Sequence, residues 1–164
     1  MSQLEFEKMK KLLDYLKLPY EVKEHEAVMN SAQAAAARGG RLQEGVKSLC
    51  LKDRQTGTYI IADLPADRKA DLDALRTISG SKKLEMAPPK EVAQITGCEI
   101  GSVPPFGHLN YIPLYVDEAI FEQEYNEFNA GRHVVSIRIK STDLRKVFET
   151  LKAKFVNFSI KGQN

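Results

Sequence analysis

The chain has 164 residues, 43% hydrophobic and 28% charged, the balance of a soluble globular protein that buries about two-thirds of its unfolded surface. Twenty-four basic and 22 acidic residues leave a formal net charge of +2, which excludes a histone-like, charge-driven nucleic-acid binder but not a local basic patch. No window approaches the roughly 18 apolar residues of a membrane span, and the opening MSQLEFEKMKKLLDYL lacks an apolar signal core.

Residues 4 to 17 read as an amphipathic helix, with Phe6, Met9, Leu13 and Leu16 recurring at three- and four-residue steps. Pro19 stops it, and PYEVKEH is short and extended. A second helix is expected from Ser31, through AQAAAA, to Gly39 and Gly40. VKSLCLKDRQTGTYIIADL reads as a β-hairpin whose loop runs from Asp53 to Gly57. DLDALRTISG and PPKEVAQITG each read as a short helix closed by glycine, with strand-like KLEMA between them. Pro88 and Pro89 suit the first turn of the second. YIPLYVD, a mixed segment over 119–131 and the strand HVVSIRIK follow. Ser141 or Thr142 then caps a final helix, DLRKVFETLKAKF. With no repeat or long linker, the expectation is one domain over 1–164. Its class is α+β, a mixed, largely antiparallel sheet or partial barrel with peripheral helices.

Two features could carry chemistry. In VKSLCLK the period-two pattern puts Lys47 on one face with Leu49 and Leu51. Either that face points inward and the ammonium serves a pocket, or Ser48 and Cys50 face the core and Lys47 faces water. The second feature is EIGSVPPFGHLNYIP. Pro104 and Pro105 fix φ and lack an N–H, while Gly101 and Gly107 permit positive φ and close backbone approach. The loop is either a stiff turn or a wall that presents the Ser102 and Val103 backbone to a ligand. His25, His108 and His133 lie far apart in sequence, and His108, beside the loop, is the strongest candidate of the three. Asp117 reads as a cap for the segment after it. Cys50 and Cys98 form no CxxC pair, and no HExxH, GxSxG, P-loop or GxGxxG occurs. No metal or cofactor is therefore expected, and two reduced thiols suggest the cytoplasm.

HEAVMNSAQAAAARGG, VKSLCLK, PPKEVAQITGCEIGSVPPFG, YVD and NAGRHVVSIRIKSTDL stand in an order and spacing that resembles the YbaK/ProX family. Its members are free-standing relatives of the editing domain of bacterial prolyl-tRNA synthetase, and the likeness runs over roughly residues 20 to 148. The resemblance implies an aminoacyl-tRNA deacylase that hydrolyses the ester of a small wrong amino acid such as Ala, Cys or Ser, with tRNA(Pro) the expected carrier. Lys47 then matches the lysine that engages the RNA end, and Gly101 and Ser102 present catalytic backbone. Val103, Pro104, Pro105, Phe106, Gly107 and His108 line the aminoacyl pocket. Pro104 departs from the threonine, glycine or serine of many relatives. An aminoacyl ester is already activated and carries a vicinal ribose hydroxyl, so orientation can replace a strong protein base. Expected partners are the aminoacylated 3′ end of tRNA and a synthetase on which the chain could dock, with no membrane and no DNA. The other reading is a non-catalytic module that holds a tRNA 3′ end or a nucleotide.

Overall fold

A computed structural model describes residues 2–26 and 41–162. The helix expected from Ser31 to Gly40 lies outside the described residues. The chain opens with α1 (Ser2–Tyr15) and β1 (Glu21–Glu24), and a short 3-10 turn (Leu42–Glu44) leads into β2 (Val46–Asp53). β3 (Tyr59–Pro65), β4 (Arg68–Ala70), α2 (Leu72–Ser79), β5 (Leu84–Met86) and α3 (Pro89–Thr96) follow. After a long loop come β6 (Leu114–Asp117), a 3-10 turn (Glu118–Glu122), β7 (Tyr125–Arg132), β8 (Val135–Lys140), α4 (Ser141–Thr150), β9 (Lys154–Val156) and β10 (Ser159–Lys161).

The strands form an open, mixed arrangement, α+β as expected. One sheet has the order β5-β2-β3-β6-β9, another the order β1-β8-β7, and β10 pairs with β4. β2 runs antiparallel to β3 and β5, whereas β3–β6 and β6–β9 are parallel. β1, β8 and β7 are antiparallel throughout. A parallel bridge, Gly45 with Glu127, ties the residue before β2 to β7.

The larger sheet is covered on both faces, which is why β3, YIIADLP, reads as a nearly unbroken apolar run. One face carries Leu51, Ile60, Ala62, Leu64 and Tyr115, under Leu75 of α2 and Phe158. The other carries Cys50 and Ile61 with Ala87, Val92, Val103 and Ile112. It continues through Val46 and Val116 into a core with α1, β7, β8, α4 and Phe106.

Local signals explain most boundaries. Asp71 caps α2 by accepting from the Ala74 N–H at 3.1 Å, and Pro89 opens α3. The Asp53 carboxylate accepts from the N–H groups of Lys82, Gln55 and Lys83, which hold its pKa down to about 2 and pin the hairpin loop. Asp117 caps the turn after β6 and its other oxygen accepts from the Phe158 and Ser159 N–H groups. The final helix is shorter than its pattern suggests. It ends at Thr150, Lys152 takes a left-handed φ of 60°, and the chain turns into β9. There Phe155 pairs in register with Val116 and packs on Phe121 and Phe148, so tertiary burial overrides a helix-compatible sequence.

Candidate active site

The loop between α3 and β6 is held from several directions. Gly101 and Gly107 adopt φ of 89° and 80°, values open to glycine at no steric cost. Residues 102–106 are buried. Val103 enters the cluster around Cys50 and Ile61, and Phe106 packs edge-on against Phe128 and Phe148, with centroids 5.8 and 6.2 Å away. The Ser102 hydroxyl and N–H both donate to the Glu99 carbonyl, at 2.9 and 3.0 Å. His108 Nε2–H donates to the Pro104 carbonyl at 2.7 Å, and Lys8 Nζ of α1 donates to the His108 carbonyl at 2.8 Å. Burial, with the nearby Lys8 charge adding to it, lowers the His108 pKa to about 4, so its ring is neutral. His108 thus touches the loop's own backbone.

The open end of this loop is fixed by a residue that the motifs did not single out. Asn129 of β7 donates its Nδ2–H to the Gly101 carbonyl at 2.7 Å. Asn129 sits where the β7–β8 register shifts, just before Ala130 and Gly131. Its position in NAGRH was the one signal available, and nothing in spacing alone ties it to Gly101.

β2 offers the loop a break in its ladder. Asp53 N–H donates to Thr58 and Ala87 N–H donates to the Cys50 carbonyl, so odd positions of β2 bond to β3 and even positions face the opposite edge. Among the described residues, β5 pairs on that edge with Leu51–Asp53, and β7 bridges the chain at Gly45, just before β2. The N–H and C=O of Ser48 therefore point to the edge between the β5 and β7 pairings. The parallel bridge puts Glu127, and two residues on Asn129, on the side of the composite sheet that carries Lys47.

Lys47 is half-buried, which resolves the inward-or-outward question in a mixed way. It lies across from Leu64 on the α2 face and lines a cleft of about 610 Å³ with Leu49, Lys69, Asp71, Met86 and Ile160. No loop residue lines that cleft. Burial lowers the pKa of Lys47 and Lys69 lowers it further, against the opposing pull of Asp67. Val103, Pro104 and Phe106 are buried from the other side. Asn129 of β7 bonds to Gly101, and β7 bridges Gly45, two residues before Lys47, but the structure does not gather all the predicted residues into one cavity.

On the loop-facing side of β2, the Ser48 hydroxyl donates to Asp63 Oδ1 at 2.5 Å. Asp63 is fully buried and its Oδ2 has no hydrogen-bond partner among the described residues. Burial raises its pKa well above the usual carboxylate range, with the Ser48 bond opposing. A carboxylate inside YIIADLP was visible in the sequence, but its partner was not. Burial also pushes the Cys50 and Cys98 thiols up to about 11 and 12, which makes them poor nucleophiles. Among the described residues no group of three His, Cys, Asp or Glu could hold a metal ion. His25 Nε2 meets Ser136 Oγ at 2.7 Å, and His133 Nε2 meets Oε2 of Glu99, just before the loop, at 3.3 Å.

The family model described as an aminoacyl-tRNA editing domain matches residues 25–147. This chain belongs to that family. Among curated relatives, the multifunctional Ser/Thr-tRNA deacylase ProXp-y of Escherichia coli is 34% identical over 143 residues, covering 85% of this chain and 83% of the relative. The prolyl-tRNA editing protein ProX of Acetoanaerobium sticklandii is 31% identical over 125 residues, covering 76% of this chain and 73% of the relative. The crystal structure of hypothetical protein APE2540 matches with a TM-score of 0.83 at 23% identity, over 93% of this chain and 99% of that one, which shows the shared fold. As an editing domain, the chain has the aminoacylated end of a tRNA as its substrate class. No described helix is long and apolar enough to cross a membrane.

Proposed function

We propose that this chain is a trans-editing aminoacyl-tRNA deacylase that removes a small amino acid from the 3′ end of a mischarged tRNA. The observation that carries this reading is the stiff loop from Gly101 to Gly107, held by Asn129 of β7, in a chain of the editing family. The relatives' names, a Ser/Thr-tRNA deacylase and a prolyl-tRNA editing protein, favour small side chains and tRNA(Pro) among the carriers.

The chemistry is ester hydrolysis assisted by the substrate. Water attacks the ester carbonyl, the ribose oxygen leaves, and the vicinal hydroxyl of the terminal ribose helps to position or activate the water. The protein's part is orientation and carbonyl polarisation by fixed backbone groups around Gly101 and Ser102. Lys47 anchors the RNA end as a point charge. Val103 and Pro104 limit the size of the side chain admitted, because one methylene is worth only about 1–3 kcal/mol to a synthetase and a steric sieve must do the rest. A synthetase that charges the wrong amino acid is the natural docking partner.

Hydrolysis of a panel of mischarged tRNAs, by the unaltered chain and by Lys47→Ala, tests this reading. Losing one charge-assisted contact of about 1.5–3 kcal/mol predicts a fall in kcat/KM of roughly 10- to 150-fold with the fold intact. Protection of every ester would identify a binding module instead. Full activity of Lys47→Ala would remove Lys47 from the mechanism.

A further inference from the structure

A nearly balanced net charge leaves room for a local basic patch, and the fold builds one where the long loop ends. A cleft of about 460 Å³ opens between α1, the residues from Gly107 to Leu114 and the turn from α4 into β9. Its apolar lining includes Leu12, Ile112 and Leu114, and its charged groups are Lys8, Lys152 and Lys154. None of the described residues that line it is acidic, in a chain with 22 acids to 24 bases. It shares no lining residue with the cleft that holds Lys47. A surface of one sign attracts anions whatever the net charge of the whole molecule.

The fold places each of these lysines. Lys8 Nζ donates to the His108 carbonyl at 2.8 Å, which uses one of its three donors and joins the cleft to the end of the loop. Lys154 Nζ stands 5.5 Å from the centre of the Tyr115 ring. Lys152 is the strained one. It follows Leu151, the C-cap of α4, with a φ of 60°. The Ala153 and Lys152 N–H groups close the helix there, donating to the Phe148 and Glu149 carbonyls at 2.9 and 3.1 Å. Such a left-handed helix end favours glycine, and α2 and α3 both end on one, Gly80 and Gly97. A lysine in that conformation points to a use for its side chain. Beside these charges Tyr111 lines the cleft and is 83% exposed.

We propose that this cleft is a second RNA-binding surface, where Lys8, Lys152 and Lys154 hold the phosphate backbone of the tRNA near its 3′ end and an unpaired base stacks on Tyr111. This rests on the deacylase reading above and adds a contact region outside the aminoacyl pocket and the Lys47 cleft. A 3′ end that reaches the loop brings a charged, single-stranded segment with it, and the cleft begins at Gly107 and His108, where the loop ends. Lysines supply attraction to phosphates of any sequence, and an exposed phenol ring offers a stacking face to any base.

Binding of uncharged tRNA, followed by fluorescence anisotropy from about 50 to 200 mM salt, tests this. Lys152→Gly/Lys154→Gln should weaken binding roughly 10-fold at the low end and reduce the slope of log K against log salt by about two. Tyr111→Ala should weaken binding about 5-fold or more and leave the slope unchanged, because it removes stacking and no charge. Lys152→Gly alone should reduce the slope by about one while its urea midpoint holds or rises, since glycine relieves the left-handed φ. That single variant serves if the double one does not fold. Unchanged affinity and slope in the folded variants would overturn the inference and leave the deacylase reading standing. Competition by poly-glutamate as strong as by tRNA at equal charge would also overturn it, marking a surface for acidic protein instead. The expected binding changes without hydrolysis of any ester would overturn the deacylase reading and leave the RNA surface standing.

Discussion

Lowering the pH from 7 to 4 should remove about 3 kcal/mol of folding stability through His108 alone. The imidazole is 7% exposed, and burial takes its pKa from an ordinary 6.5 down to about 4. At about 1.36 kcal/mol per pKa unit, that difference amounts to about 3 kcal/mol. Between the two values the unfolded chain binds a proton that the folded chain excludes. The contribution is therefore fully present above pH 6.5 and disappears as the pH falls through 4, at about 1.4 kcal/mol per pH unit. Urea unfolding followed by circular dichroism from pH 4 to 7.5 measures it, with His108→Gln as the reference. That variant cannot titrate, and its carboxamide can still donate to the Pro104 carbonyl. Carboxylates titrate equally in both chains, so the difference between the two profiles isolates one proton. Parallel profiles would show that His108 is protonated at no cost in the folded chain, and the account of a neutral ring bracing the loop would fail.

Two further outcomes follow from the same packing. Arg138 donates to Glu127 at 2.8 Å and to Glu44 at 3.3 Å, and both carboxylates are buried. Arg138→Met should cost about 3–5 kcal/mol in urea unfolding, and a loss under about 1 kcal/mol would mean that the cluster is solvated. Gly107→Ala would strain a φ of 80° and set its Cβ 2.9 Å from Met9 Cγ. A cost of about 2 kcal/mol lowers Tm by roughly 4–8 °C, and an unchanged Tm would show that α1 yields freely.

The hairpin, the two glycine-closed helices and the α+β class were legible because their signals are local. Asp71, Pro89, Gly80 and Gly97 each act on the chain within a turn or two. β4, β9 and β10 were not legible, being three residues each and held by partners far away in sequence, as Lys154–Val156 is by Tyr115–Asp117. The candidate site divides the same way. Lys47 and the glycine–proline loop announce themselves by residue type, in a strand and in a loop. Asn129 and Asp63 do not, because their meaning lies in pairings across 28 and 15 residues that periodicity cannot see. The alternation that placed Lys47 with Leu49 and Leu51 was sound, yet it gave no hint that Val103 would be buried from the opposite side.

The contact between Lys8 and the carbonyl of His108 spans 100 residues, and this has a consequence for the chain as it is being made. Translation at about 5–20 residues per second leaves α1 waiting roughly 5–20 s for the segment it will brace. During that interval Phe6, Met9 and Leu13, later part of the core, have no sheet to rest on. A nascent chain paused before residue 108 would display this stripe to chaperones or to its neighbours. Slow codons upstream of the loop should therefore lower the yield of folded protein more than slow codons after β8.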